Sequence, residues 1–235
     1  LGPQKCRSVS LRIIRPPFIA MKLPVFIEYH YLKPRVTIVW AKCGVVSKWN
    51  FIMSQRNLKD MTLSELWELF PIVLTAYNPD WSEWANEEIL ELSALLKDYS
   101  PIINHIGSTA IPNIQAKPII DILVELNPDA DWQRIKEKME AAGYICMSAS
   151  DSRMSFNKGY TPAGYADKVF HIHFHRAGDN DEIRFRDYLI AHPDVAKEYE
   201  ILKLSLLPKY KNDRDGYTEA KSEFVRQTIK RALKQ

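Results

Sequence analysis

The chain has little of what builds a disulfide scaffold or a thiolate metal site. Cys6, Cys43 and Cys146 are its only cysteines, an odd number, far apart and without a Cys-x-x-Cys pair. Neither a disulfide framework nor a Cys-based zinc site is indicated, and a reducing, cytoplasmic setting fits best. Long apolar runs are missing as well. The runs in the first fifty residues are too short to span a bilayer, and Lys22 and Pro24 interrupt the one that resembles the core of a secretion signal. No membrane partner is expected. No Gly-x-x-x-x-Gly-Lys-Ser/Thr loop occurs, so P-loop kinase chemistry has no basis here, and no repeat or low-complexity stretch appears.

Acidic residues are scarce at the start of the chain. Residues 1–52 hold nine Lys or Arg and one acid, Glu28, whereas residues 53–235 hold 23 basic and 28 acidic side chains. The formal net charge of +3 therefore averages two unlike regions. The mildly acidic remainder argues against bulk nucleic-acid binding by the main domain, which needs a basic surface to release counterions from phosphates.

With 46% hydrophobic side chains over 235 residues, the chain is long enough for one sizeable core plus an appendage. The appendage is the N-terminal region. Pro16, Pro17, Pro24 and Pro34 break every helical period there, and residues 1–60 read as a basic extension, poorly ordered or non-native, ahead of a domain over 61–235. Met53 and Met61 each precede cleaner grammar. Thr62-Leu-Ser-Glu65 is a capping box leading into Leu66, Trp67, Leu69 and Phe70.

Within the domain, periodicity predicts strands at 72–76, 102–106, 117–126, 144–147, 153–158 and 168–175. Helices are expected after a cap at Asp80, over 132–142 with Gly143 as the stop, and from 183 onward with breaks at His192-Pro193 and at Pro208. The fold class is α/β (α+β): a mixed sheet with flanking helices and a C-terminal helical cap.

The chemistry concentrates in His105-Ile-Gly-Ser-Thr-Ala-Ile-Pro-Asn-Ile-Gln-Ala-Lys-Pro-Ile-Ile-Asp121. Gly107 after an apolar strand lets the backbone approach a ligand, and Ser108 adds a hydroxyl. Asp121 sits in a branched apolar run that suits a buried strand, with its carboxylate facing the turn, as a metal site requires. The residue types alone fit a plain strand-turn-strand equally well, with Asp121 paired to Lys117.

The wording around this segment is more specific. Asn104-His-Ile-Gly-Ser-Thr-Ala-Ile-Pro-Asn-Ile, Lys117-Pro-Ile-Ile-Asp-Ile, Tyr77-Asn-Pro-Asp-Trp81, Phe170-His-Ile-His173, Phe185-Arg-Asp-Tyr-Leu189 followed by His192-Pro193, and Tyr217-Thr-Glu-Ala-Lys221 occur in this order. Together, over about Ile72 to Ala232, they resemble the GrpB family (UPF0157), which is assigned to the nucleotidyltransferase superfamily. The resemblance implies a nucleotidyltransferase-like mixed sheet, a nucleotide or other phosphorylated small molecule as partner, and a divalent cation, magnesium or manganese, as cofactor. Similar domains occur attached to dephospho-coenzyme A kinases. One departure matters: active nucleotidyltransferases place two acids two residues apart on this strand, and here the partner position of Asp121 is Leu123. Glu125 shares the face but lies roughly 13 Å along the strand, too far for the same ion.

A row of histidines offers a replacement. His171, His173 and His175 alternate with Phe170, Ile172 and Phe174, which puts three imidazoles on one strand face. Set side by side, Asp121, His171 and His173 would act as catalytic groups, with Asp121 and His173 as metal ligands. Gly107, Ser108, Thr109, Lys117, Arg186 and Lys221 are the expected substrate-binding residues, and Arg153 and Arg184 are further cationic candidates. His105 reads as structural, holding the turn. The leading function is nucleotide-phosphate binding with transfer of a nucleotidyl group to an unknown small acceptor. The alternatives are a catalytically inactive nucleotide- or protein-binding module and a metal-dependent phosphohydrolase.

Overall fold

The mixed sheet and the helical cap are both present. In a computed structural model of the chain, residues 58–234 are described, all within one compact unit. The N-terminal extension expected over 1–60 lies almost wholly outside the described residues. Strands β1 (Ile102–Ile106), β2 (Ile120–Leu126), β3 (Ile145–Ala149), β4 (Arg153–Thr161) and β5 (Gly164–Arg176) form one sheet in the order β1-β2-β5-β4-β3. Only β2 and β5 run parallel; the other neighbours are antiparallel.

Period-two alternation decides which way each strand faces. Ile120, Ile122, Val124 and Leu126 of β2, Met154 and Phe156 of β4, and Phe170, Ile172 and Phe174 of β5 enter one apolar core. Helix α2 (Asp80–Leu95) covers that face with Trp81, Ala85 and Leu92, at the spacing of four and seven that keeps one helical stripe inward. Helix α3 (Trp132–Ala141) adds Ile135 and Met139. Asp131 caps α3 by accepting the amide of Arg134, and Gly143, at φ +90°, follows its end. Trp81, Phe156 and Phe174 are almost fully buried, each stabilising by about 1.5–3 kcal/mol through the water it leaves behind.

The opposite face of the sheet carries the polar strand residues. Helix α1 (Leu63–Leu69) begins with the expected capping box, Thr62 and Glu65 serving one another's orphan donors. Three C-terminal helices follow: α4 (Asp181–Ala191), α5 (Pro193–Tyr210) and α6 (Arg214–Ala232). They enclose a second apolar cluster of Ile111, Ile114, Phe185, Leu189, Val195, Ala196 and Tyr199.

Three expectations are corrected. Residues 72–76 form no strand: the only ladder contact is a bridge from Thr75 to Ala116, and Ile72 donates instead to the carbonyl of Lys211. Pro71 and Pro79 confine this stretch, which has no neighbouring strand to extend along. Asp80 begins α2 without capping it; Asn78 accepts the Asp80 amide at 3.0 Å. Pro208 does not end α5, which runs two residues further, because the amide it lacks would serve only the last turn.

Candidate functional site

Parallel pairing of β2 with β5 sets Asp121 beside His171 and Leu123 beside His173. Their side chains meet on the face opposite the α2 core. The Asp121 Oδ1 lies 3.3 Å from His171 Nδ1 and 3.2 Å from His173 Nε2. One ligand atom from each of the three residues falls within 4.8 Å of the others. All three are only partly buried, so the cluster opens onto solvent-accessible space.

Burial by itself would raise the Asp121 pKa, but hydrogen bonds and charge from His171 and His173 outweigh it and hold the carboxyl well below the usual range. Burial pushes the His171 imidazole down despite Asp121. At His173 the carboxylate overcomes burial, and the pKa rises. A carboxylate that stays ionised next to an imidazole easily left neutral is a pair suited to hold a cation.

The third histidine of the row belongs elsewhere. His175 is buried, and its Nδ1 lies 2.8 Å from the carbonyl of Asp179. Glu125 accepts from the Gly178 amide at 2.8 Å and from Asn180 Nδ2 at 3.2 Å, so it orders the loop after β5 and stays clear of Asp121.

Tyr160 closes the other side of the cluster. Its hydroxyl lies 2.7 Å from His171 Nε2 and accepts from Arg214 Nη2 at 3.1 Å. Simple alternation from Ser155 and Asn157 would send Tyr160 to the far face with Lys158. The register of β4 against β5 shifts between Lys158 and Tyr160, and Gly159 sits there at φ +88°. A side chain at Gly159 would meet the Lys168 carbonyl at 2.3 Å, so only glycine allows the irregularity.

A pocket of about 780 Å³ opens over this cluster. Gly107, Ser108, Lys117, Asp121, His171, His173 and Lys221 all line it. So do Lys203 of α5 and Arg214 of α6. None of Lys117, Lys203, Lys221 and Arg214 forms an ion pair with a carboxylate among the described residues. Aromatic faces carry them instead: Lys117 and Lys221 over Tyr217, Lys203 over Tyr199 with its ammonium also donating to the Gln115 carbonyl, and Arg214 over Tyr160. Burial and mutual repulsion lower the Lys117 pKa to about 8 and that of Lys203 to about 7. The same burial lowers Lys221, with Asp121 opposing it.

Two expected substrate contacts do not line this pocket. Thr109 is buried, its hydroxyl donating to the Ile119 carbonyl and lying 3.0 Å from His105 Nε2, so that pair holds the turn. Arg186 donates to the His105 carbonyl at 2.6 Å and pairs with Asp187. Arg153 and Arg184 are committed to Asp179 and Asp181. Gly107 lines the pocket and also makes room for Asp121: it adopts φ +72° with the Asp121 carboxylate, expected to face this turn, packed against it.

Sequence reasoning missed Lys203, Arg214 and Tyr160. The two cations stand on helices whose packing no local pattern specifies, and Tyr160 follows a face switch that alternation cannot foresee. Gly159 inside a strand was the one available signal.

Residues 71–231 match the GrpB protein family. The glutamate-rich protein GrpB of Alkalihalophilus pseudofirmus is 38% identical over 160 residues, 66% of this chain and 91% of that protein. The UPF0157 protein YqkA of Bacillus subtilis is 33% identical over 172 residues, 70% of this chain. The chain spans 49% of the length of YqkA and 55% of that of the UPF0157 protein PA4798 of Pseudomonas aeruginosa, about half of each. The crystal structure of GrpB from Enterococcus faecalis superposes with a TM-score of 0.59 at 30% identity, covering 69% of this chain and 98% of that one. The family match over most of the described residues, together with the shared fold, makes this chain a member of the GrpB family.

Proposed function

We propose that the pocket binds the phosphates of a nucleotide together with a divalent cation, and that the protein transfers a nucleoside monophosphate to a small acceptor. The carrying observation is the charge arrangement. Four cations without carboxylate partners surround one carboxylate flanked by two imidazoles. A chain of phosphates supplies the negative charge that these lysines, partly or wholly buried, lack, and relieves their mutual repulsion.

Each side chain then has a task. Lys117 and Lys221 meet phosphate oxygens, and Arg214 offers a planar pair of donors to another. Ser108 presents its hydroxyl from the turn. Asp121 anchors the cation with His171 and His173. The cation, when bound, supplies charge stabilisation at the reacting phosphate and the departing pyrophosphate.

Leu123, wholly buried where a second acid would stand, favours a second reading: a binding module that senses a nucleotide or docks a protein without turnover. Incubating the full chain with labelled nucleoside triphosphates and magnesium, manganese or zinc separates these readings. Pyrophosphate with a modified acceptor supports transfer, free phosphate supports hydrolysis, and binding without turnover supports the module. Unchanged nucleotide and metal affinity in Asp121→Ala would sink the shared site.

A further inference from the structure

We infer that the ion held by Asp121, His171 and His173 is an imidazole-seeking transition ion of the zinc kind, and that magnesium is a poor occupant. The inference rests on the cation-binding reading of the pocket and names the class of ion.

The donor set decides first. Magnesium demands oxygen ligands in near-octahedral geometry and keeps several waters, whereas two imidazoles and one carboxylate are a set used by catalytic zinc sites. The acid that magnesium would want beside Asp121 is replaced by Leu123, and Glu125 is engaged by Gly178 and Asn180. No further carboxylate joins the three-residue cluster among the described residues.

Geometry agrees. Bonds of about 2.1 Å in a tetrahedral site put ligand atoms about 3.4 Å apart. Two of the three separations, 3.3 Å from Asp121 Oδ1 to His171 and 3.2 Å to His173, already stand near that value, and all three atoms lie within 4.8 Å of one another. Three protein ligands would leave a further position free for water or a phosphate oxygen, and the pocket's lysines line the same cavity.

The outer partner of His171 completes the case. For Nδ1 to offer its lone pair to an ion, Nε2 must carry the proton and donate it. Tyr160 is 2.7 Å from that nitrogen, nearer than Arg214 Nη2 at 3.5 Å, and the Tyr160 oxygen accepts from that same Arg214 group, which leaves it the stronger acceptor for the Nε2 proton. Tyr160 is thus a positioning residue that fixes the ring and its tautomer. Gly159 puts it there.

The test uses the full chain, stripped of metal by a chelator and titrated with zinc, cobalt or magnesium alone, with no nucleotide present. Zinc should bind at one ion per chain, and cobalt should give a visible d–d band of low coordination number that millimolar-range magnesium does not displace. Tyr160→Phe should weaken zinc by roughly 10- to 100-fold and shift the cobalt band while circular dichroism is unchanged. Asp121→Asn and His173→Ala should each abolish the band. Displacement of cobalt by comparable magnesium overturns the ion class and leaves the phosphate-and-cation reading intact. A cobalt band that survives both ligand variants places the ion elsewhere and overturns the inference. Absence of binding by all three ions removes the cation from both.

Discussion

Gly107 and Asp121 are packed so closely that a β-carbon on Gly107 would lie 2.5 Å from Asp121 Oδ2. The turn therefore buttresses the carboxylate that β2 presents. At φ +72° the backbone is also in a region that side chains avoid. Gly107→Ala should cost about 1–3 kcal/mol of stability, read from the denaturant midpoint, and should displace Asp121 enough to weaken metal binding in the folded protein. A variant with wild-type metal affinity would show that the contact does not position the carboxylate.

Lys117 and Lys203 make the pocket's affinity depend on protons. Both lysines lie below the ordinary value, at about 8 and about 7, so each is partly or largely neutral at pH 8. A bound polyphosphate favours the charged forms and raises both values. Binding of inorganic triphosphate at pH 8 should take up about one proton, seen as a calorimetric enthalpy that varies with the ionisation enthalpy of the buffer. At pH 5.5, where both lysines are already charged, the uptake should vanish.

The same depressed values set a stability trend. The unfolded chain holds its lysine protons up to about 10.5, so the cost of burying these charges is present in full below about pH 7 and is relieved progressively as pH rises from about 7 to 8 toward 10.5. Lys203→Met should flatten that rise in thermal unfolding between pH 6 and pH 9. An identical slope would mean that Lys203 titrates normally.

Away from the pocket, Glu88 ties α2 to the sheet. Its buried carboxylate accepts from the Tyr144 hydroxyl and from Lys158 Nζ. Glu88→Ala leaves the Tyr144 phenol without its acceptor while Lys158 keeps Glu91, and should destabilise by about 1–3 kcal/mol in chemical denaturation. Metal affinity of the folded protein should not change.

Arg153 makes a two-pronged pair with Asp179, exposed at the sheet's far end. Arg153→Ala should alter stability by less than about 1 kcal/mol and leave triphosphate affinity unaltered. A large loss of affinity would return Arg153 to the binding site.

How far the site could be read from sequence follows from which rules are local. Alternation correctly put Asp121 on a strand face and His171 and His173 together on another, because side chains point by twos. The pairing of those two strands joins residues fifty apart, and nothing in either run specifies it; the family resemblance filled that gap. Lys117 and Lys221 were found because they fall within family-like text. Lys203 carries no such marker, and a lysine on an amphipathic helix ordinarily faces water. Thr109 and Arg186 fall within the same kind of text, yet their polar atoms satisfy backbone and side-chain partners of the turn. The 72–76 run failed as a strand for a related reason: β-branched residues describe willingness to extend, and no neighbour is there to pair with.

Gly159 makes β4 two separate frames of sidedness. Residues on its N-terminal side keep one phase, which aims Ser155 and Asn157 at the pocket, and Tyr160 starts another. A one-residue insertion or deletion within Arg153–Lys158 would scramble the first phase while leaving Tyr160 tied to its hairpin partner Tyr165. Length changes in the hairpin tip would do the reverse. A length change in one half of this wall of the site therefore leaves the sidedness of the other half intact, provided the glycine between them stays.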